Sequence, residues 1–312
     1  MIYDLIILGG GPAGTAAAVY AARKRLKTLF ITAEWGGQST VSEEIFNWIG
    51  TVSISGDQLA KNLKSHVMAN VGDTLEVKEG YKVGDISKST ADGKDIFKIK
   101  TDDGMEFSAK TVLISTGSTR RPIDAKNADK LEHKGLTYCA SCDGPLFSGM
   151  DVAVIGGGNA AFETAAQLLA YCNSVTLFVR GEHFRADEIT VEKVMRNPKM
   201  RVVMNSEILE IKGENFVSGL VYHDKVTGSE IELNVAGIFV EIGQIPNTAF
   251  AKNVVTLDEI GRIKIDPRTG KTETPGIWAA GDCTDVLYHQ NNIAAGDAVR
   301  ALEDIYLAIH TK

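Results

Sequence analysis

Leu5-Ile6-Ile7-Leu8-Gly9-Gly10-Gly11-Pro12-Ala13-Gly14 decides the fold of this chain. An apolar run that meets glycines at once reads as a buried strand ending in a tight turn. The alanine-rich stretch through Arg23 then reads as a helix, and Thr28 to Thr32 as a second strand. Glycine in such a turn permits the sharp bend and brings bare backbone close to a ligand. The start of the helix adds N–H groups and a partial positive charge, which together suit a phosphate.

The same plan returns further on. Val152-Ala153-Val154-Ile155 runs into Gly156-Gly157-Gly158-Asn159-Ala160-Ala161, a helix follows through Tyr171, and Val175 to Val179 reads as the next strand. A single G-x-G-x-x-G pattern is weak, because any α/β protein can use such a turn. Two copies, each between a strand and a helix, point to dinucleotide binding. Gly9, Gly11 and Gly14 fit the pattern, as do Gly156, Gly158 and Ala161. Each copy continues through alternating stretches around Asp103-Gly104 or Thr227-Gly228, which read as antiparallel ribbon. Each then closes on a strand ending in glycine, Val112 to Gly117 and Ile238 to Gly243. The tail adds Gly276-Ile277-Trp278-Ala279-Ala280-Gly281-Asp282 and a helix from about Asn292 to Ile309, with no second copy.

The expected architecture is α/β: two Rossmann-like dinucleotide-binding domains with β-meanders, the second inserted into the first. Residues 1–117 and 247–312 make one domain and 118–246 the other. The crossings, near Ser118–Pro122 and Gln244–Asn247, are rich in residues that break regular structure. At 312 residues the chain is long enough for two such domains. The 33 basic and 40 acidic residues, net −7, give no reason to expect nucleic acid or an anionic membrane as partner. The N-terminus lacks a basic region, and no apolar stretch reaches the ~18 residues of a membrane span. Four cysteines in a chain this long suit a reducing cytosol, so a cytoplasmic protein is expected.

Cys139-Ala140-Ser141-Cys142 is the second decisive feature. Two thiols at this spacing can close a small, reducible ring, and half of a zinc site would need two more ligands, so no metal is expected. Cys172 and Cys283 are isolated and read as buried apolar residues. Asp143 would hold a carboxylate against the pair, as a proton donor to a departing thiolate, as a helix N-cap or turn acceptor, or as both. Nucleotide identity is read at the end of the second strand of each copy, where an acidic residue suits a ribose hydroxyl and arginine a 2′-phosphate. The first copy offers Glu34, ambiguously placed. The second offers Arg180 and, a short loop later, Arg185, each of which could also be only a solvated surface residue.

Gly9 to Gly14, Gly36-Gly37-Gln38, Asn47-Trp48, Cys139 to Gly144, Gly156 to Ala161, Pro246-Asn247-Thr248 and Ala279-Ala280-Gly281-Asp282 cover nearly the whole chain. In these segments it resembles the low-molecular-weight thioredoxin reductases of the FAD/pyridine nucleotide-disulfide oxidoreductase family. The resemblance implies FAD at Gly9, Gly11, Pro12, Ala13, Gly14, Gly37, Gln38, Asn47, Gly117, Gly281, Asp282, His289, Gln290 and Asn291. It implies NADPH at Gly156, Gly158, Asn159, Ala161, Arg180 and Arg185. It gives Cys142 the side facing the flavin, Cys139 the exchange with a thioredoxin-like protein, and Asp143 the role of acid; a homodimer is the family's habit.

Cys142 to Phe147 and Ala236 to Val240 are also similar to the flavoprotein component of alkyl hydroperoxide reductase. That relative carries an extra N-terminal thioredoxin-like region, which a chain starting Met1-Ile2-Tyr3-Asp4 is not expected to contain. The family's NADPH run has a second arginine directly after the first, where this chain has Gly181. An NADH- or ferredoxin-driven reductase is therefore the alternative among enzymes. A flavin-binding redox sensor that does not turn over is the alternative outside them.

Overall fold

Alternate residues of the opening run face opposite ways. Leu5 and Ile7 join the apolar layer under the helices, while Ile6 and Leu8 join the layer on the other side of the sheet. All four are fully buried, as a parallel strand between two layers must be. The computed structural model describes residues 1–42, 44–91 and 93–311. It divides into two compact units, Met1–Thr119 with Ile245–Lys312, and Arg120–Gln244.

In chain order the first unit contains β1 (Ile2–Gly10), α1 (Pro12–Arg23), β2 (Thr28–Trp35), α2 (Gly56–Met68), β3 (Leu75–Glu79), β4 (Val83–Ala91), β5 (Lys94–Thr101) and β6 (Glu106–Ile114). The short strand β7 (Ser118–Arg120) leads into the second unit. There follow α3 (Ala128–Leu131), β8 (Leu136–Thr137), α4 (Ala140–Asp143), β9 (Asp151–Ile155), α5 (Asn159–Leu168), β10 (Ser174–Phe178), α6 (Glu188–Met195) and β11 (Met200–Val203). The second unit closes with β12 (Ser206–Gly213), β13 (Val217–Asp224), β14 (Ser229–Asn234) and β15 (Gly237–Val240). The chain returns through β16 (Gln244–Pro246) to β17 (Ile277–Ala279) and α7 (Asn291–His310).

The sheet of the first unit runs β3-β2-β1-β6-β5-β4. Strand β6 lies parallel to β1 along one edge and divides its other edge: Glu106 to Ala109 pair antiparallel with β5, and Val112 to Ile114 pair parallel with β17. The carboxyl ends of β1, β6 and β17 therefore meet on one side of the sheet. Ala-rich α1 packs with α7 on one face, through Ala17, Ala21, Ala298 and Leu302. Small side chains let these helices approach closely.

The second unit is a five-stranded parallel sheet, β11-β10-β9-β15-β8. On β9, Val152 and Val154 face the layer under α5, and Ala153 and Ile155 face the opposite layer. Both units are Rossmann-like, with the strand–glycine turn–helix–strand plan repeated. Their meanders differ. The first is continuous with the main sheet through β5 and β6, whereas β12, β13 and β14 form a sheet of their own.

Candidate functional site

Packing dictates the first glycine turn. A Cβ on Gly14 would lie 1.8 Å from the carbonyl oxygen of Gly9, so α1 can rest against the turn only without a side chain there. Gly9 itself has φ +109 and lies against the Ser115 carbonyl at the end of β6. Gly11 differs, because nothing stands within 4 Å of the place its Cβ would take. It is the N-cap of α1, and no side chain caps that helix. The open room thus lies where the helix presents its first N–H groups and positive end.

A cavity of about 770 Å³ opens from this turn. Gly9, Gly11, Pro12, Ala13, Gly37, Gln38, Gly117, Gly281, Asp282 and Asn291 all line it, with Glu34 at the end of β2. Gly14, Asn47, His289 and Gln290 do not. Gly14 lies beneath the turn. Asn47 Nδ2 donates to Gln290 Oε1 at 3.1 Å, and Asn292 Nδ2 donates to the Asn47 carbonyl at 2.7 Å, so these residues tie the segment at Asn47 to the start of α7. His289 Nε2 is buried without a hydrogen-bond partner among the described residues. Asn247, of the Pro246-Asn247-Thr248 segment, also reaches the cavity, as do Lys82, Asp102 and Thr119, which sequence reasoning did not select. An uncapped helix start and open room over Gly11 at the mouth of so large a cavity fit a large anionic dinucleotide such as FAD.

The second turn repeats the first. A Cβ on Gly156 would lie 2.3 Å from the Glu241 carbonyl oxygen and 3.0 Å from the Ala161 methyl, while Gly158 is open. Gly158 is the N-cap of α5, again with no side-chain cap. The loop after β10 folds back onto this turn. The Arg185 amide donates to the Gly157 carbonyl at 2.7 Å, and the Asp187 amide to Asn159 Oδ1 at 2.7 Å. Arg180 and Arg185 are both exposed at this edge. An uncapped helix start with open room over Gly158 suits a phosphate, as the first turn does.

Cys139 and Cys142 are joined in a disulfide, with Cα atoms 5.3 Å apart. Cys139 is the N-cap of α4 and accepts at Sγ from the Cys142 amide at 3.1 Å. Both sulfurs belong to half-buried residues. The Asp143 carboxylate accepts from the Thr137 hydroxyl; Asp143 is also the N-cap residue of the short turn Gly144–Phe147, to which its side chain makes no capping bond. Cys172 and Cys283 are buried free thiols. Burial pushes the Cys172 thiol up, and that of Cys283 up to about 11.

Sequence reasoning also passed over Glu241, the first residue beyond β15. It keeps part of its surface open, and Thr164 Oγ1 of α5 donates to its Oε1 at 2.7 Å. Burial raises its carboxyl to about 7; the Thr164 bond and the Arg120 charge act downward, and the Glu163 charge upward.

Comparison with known proteins adds three findings. The family described as pyridine nucleotide-disulphide oxidoreductase matches residues 3–301. The "NADH dehydrogenase" of Bacillus subtilis (strain 168) is 36% identical over 96% of the chain and 57% of its own length. A component of the alkyl hydroperoxide reductase of Staphylococcus aureus (strain MRSA252) is 38% identical, over 96% of the chain and 57% of its own length. The chain thus spans little more than half the length of these curated relatives. Among solved structures, thioredoxin reductase from Streptococcus pyogenes MGAS5005 superposes with a TM-score of 0.89 at 31% identity, covering 100% of this chain and 99% of that one. Among the described residues no helix is long and apolar enough to cross a membrane.

Proposed function

The chain belongs to the pyridine nucleotide-disulphide oxidoreductase family, and on that premise we propose that it reduces the disulfide of a thioredoxin-like protein with electrons from NADPH. Membership implies FAD and a pyridine nucleotide. The first unit is then the FAD-binding domain and the second the NADPH-binding domain. The observation that carries the reading is the Cys139–Cys142 disulfide, held in the same unit as the second glycine turn. Bound FAD would supply two-electron transfer between the nicotinamide and that disulfide.

Reduction of the disulfide leaves two thiols. The Cys139 thiolate attacks one sulfur of the partner's disulfide, forming a mixed disulfide and releasing the other partner sulfur as a thiolate. Cys142 then attacks Cys139, which re-forms the internal disulfide and frees the partner as a dithiol. The Cys142 amide directed at Cys139 Sγ supports the exchanging role of Cys139, because a donor there favours its thiolate. Asp143 follows Cys142 directly in the chain, and its carboxyl can supply the proton that a leaving thiolate takes up. A homodimer working in the cytoplasm completes the proposal.

A second reading has NADH as donor. Gly181, which stands where the resemblance expects an arginine, favours it, and so does the similarity to a protein called an NADH dehydrogenase. One anaerobic experiment separates the two. The purified yellow protein is mixed with NADPH or NADH while the flavin absorbance is followed, and a thioredoxin-like disulfide is then added. Faster bleaching by NADPH with reoxidation by the disulfide supports the first reading, and faster bleaching by NADH the second. Bleaching by neither removes both.

A further inference from the structure

The parallel sheet of the second unit changes direction between β9 and β15. From β9 the chain proceeds through α5 to β10 on one side, while β15 enters on the other. Ligands of open α/β sheets lie outside the carboxyl ends of the strands at such a switch point. The end of β10 takes the adenosine half and the start of α5 the phosphates, so the end of β15 is left for the other half. The first residue there is Glu241. Its carbonyl is fixed against Gly156, at the head of the glycine turn, and its carboxyl is fixed by the Thr164 hydroxyl of α5.

We propose that Glu241 contacts the nicotinamide half of the bound nucleotide and makes the choice between its oxidised and reduced forms depend on pH. The inference rests on the reading that this unit binds a pyridine nucleotide. The oxidised ring is a cation and the reduced ring is neutral. A carboxylate beside the ring therefore favours the oxidised form, and a carboxylic acid removes that preference. The charged groups that act on Glu241 are Arg120 of β7 and Glu163 of α5, with Thr164 as hydrogen-bond donor. Burial holds the group near neutrality, where small changes of pH alter its charge. An ionised Glu241 would hold the spent nucleotide longer at alkaline pH.

The test uses the FAD-loaded protein and its Glu241→Gln and Thr164→Val variants. Calorimetry from about pH 6 to about pH 8.5 measures two probes: the oxidised nucleotide whose reduced form bleaches the flavin, and its ADP-ribose counterpart, which lacks the nicotinamide. The ratio of their affinities cancels any titration of a 2′-phosphate. In the natural protein the ratio should rise in favour of the nucleotide by about five- to tenfold through neutral pH. Glu241→Gln should flatten it at the acid value. Thr164→Val, which removes a bond to the charged form, should move the midpoint upward. A rise that persists in Glu241→Gln overturns the inference. If the natural protein binds neither probe, the nucleotide reading of this unit fails, and the inference with it.

Discussion

Burial acts on Glu241 in the folded chain but not in the unfolded one, and this fixes the sign of its effect on stability. Its folded carboxyl titrates at about 7, above the ordinary 4.5. The native state therefore prefers the protonated form, and stability falls as pH rises from about 4.5 to about 7, then levels. Glu241→Gln should stabilise the protein at pH 8 by ~1–3 kcal/mol and have almost no effect at pH 4, read from urea unfolding at the two values. The cysteines give a second prediction at this scale. Cys142→Ser should end turnover yet leave Cys139 able to trap its partner, visible as a mixed disulfide on a non-reducing gel. Trapping that needs Cys142 instead would reverse their roles. Arg180 gives a third. If this exposed guanidinium contacts a 2′-phosphate, Arg180→Ala should weaken NADPH by ~1.5–3 kcal/mol and NADH hardly at all. An unchanged NADPH/NADH affinity ratio, measured by titration, would mean that Arg180 does not read the phosphate.

At the scale of elements, the strand–turn–helix units separate two roles of glycine. Gly14→Ala drives a methyl into the Gly9 carbonyl and should cost more than ~3 kcal/mol of unfolding free energy. Gly11→Ala meets no protein atom and has φ −74, so its apoprotein should melt as the natural one does. Its methyl occupies the room over the start of α1, so FAD retention after purification should fall sharply. These turns are legible in the sequence because strand, glycine and helix lie within a few residues of one another. Helix α2 was legible too, yet passed over: Ser55 accepts from the Gln58 amide, and Leu59 and Val67 are buried on one face. Other features depend on distant pairing. Lys82 and Asp102 reach the cavity only because β4 and β5 fold back on β6. Glu241 reads in sequence as one acidic residue closing an apolar strand, and its burial comes from α5, 77 positions away at Thr164. Alternation also fails to tell a meander that extends the main sheet from one that forms its own.

Over the whole molecule, the apolar cores follow the division into units. Two large clusters draw only on residues of the first unit, and two only on residues of the second. Cores that share no residue give each unit its own cooperative unfolding. Scanning calorimetry of the apoprotein should therefore show two transitions. FAD at about a hundred times its Kd should stabilise one of them by ~2.7 kcal/mol, and the pyridine nucleotide the other by a similar amount. A single transition that moves with both ligands would mean that the units unfold as one. The two buried thiols bear on the whole chain in another way. Cys172 and Cys283 are fully covered and held in the unreactive protonated form. A fast alkylating reagent added to the native chain should thus label no sulfur in the oxidised state and two per chain after the disulfide takes up an electron pair. The chain is its own electron counter, and a third rapid label would register unfolding instead of redox state.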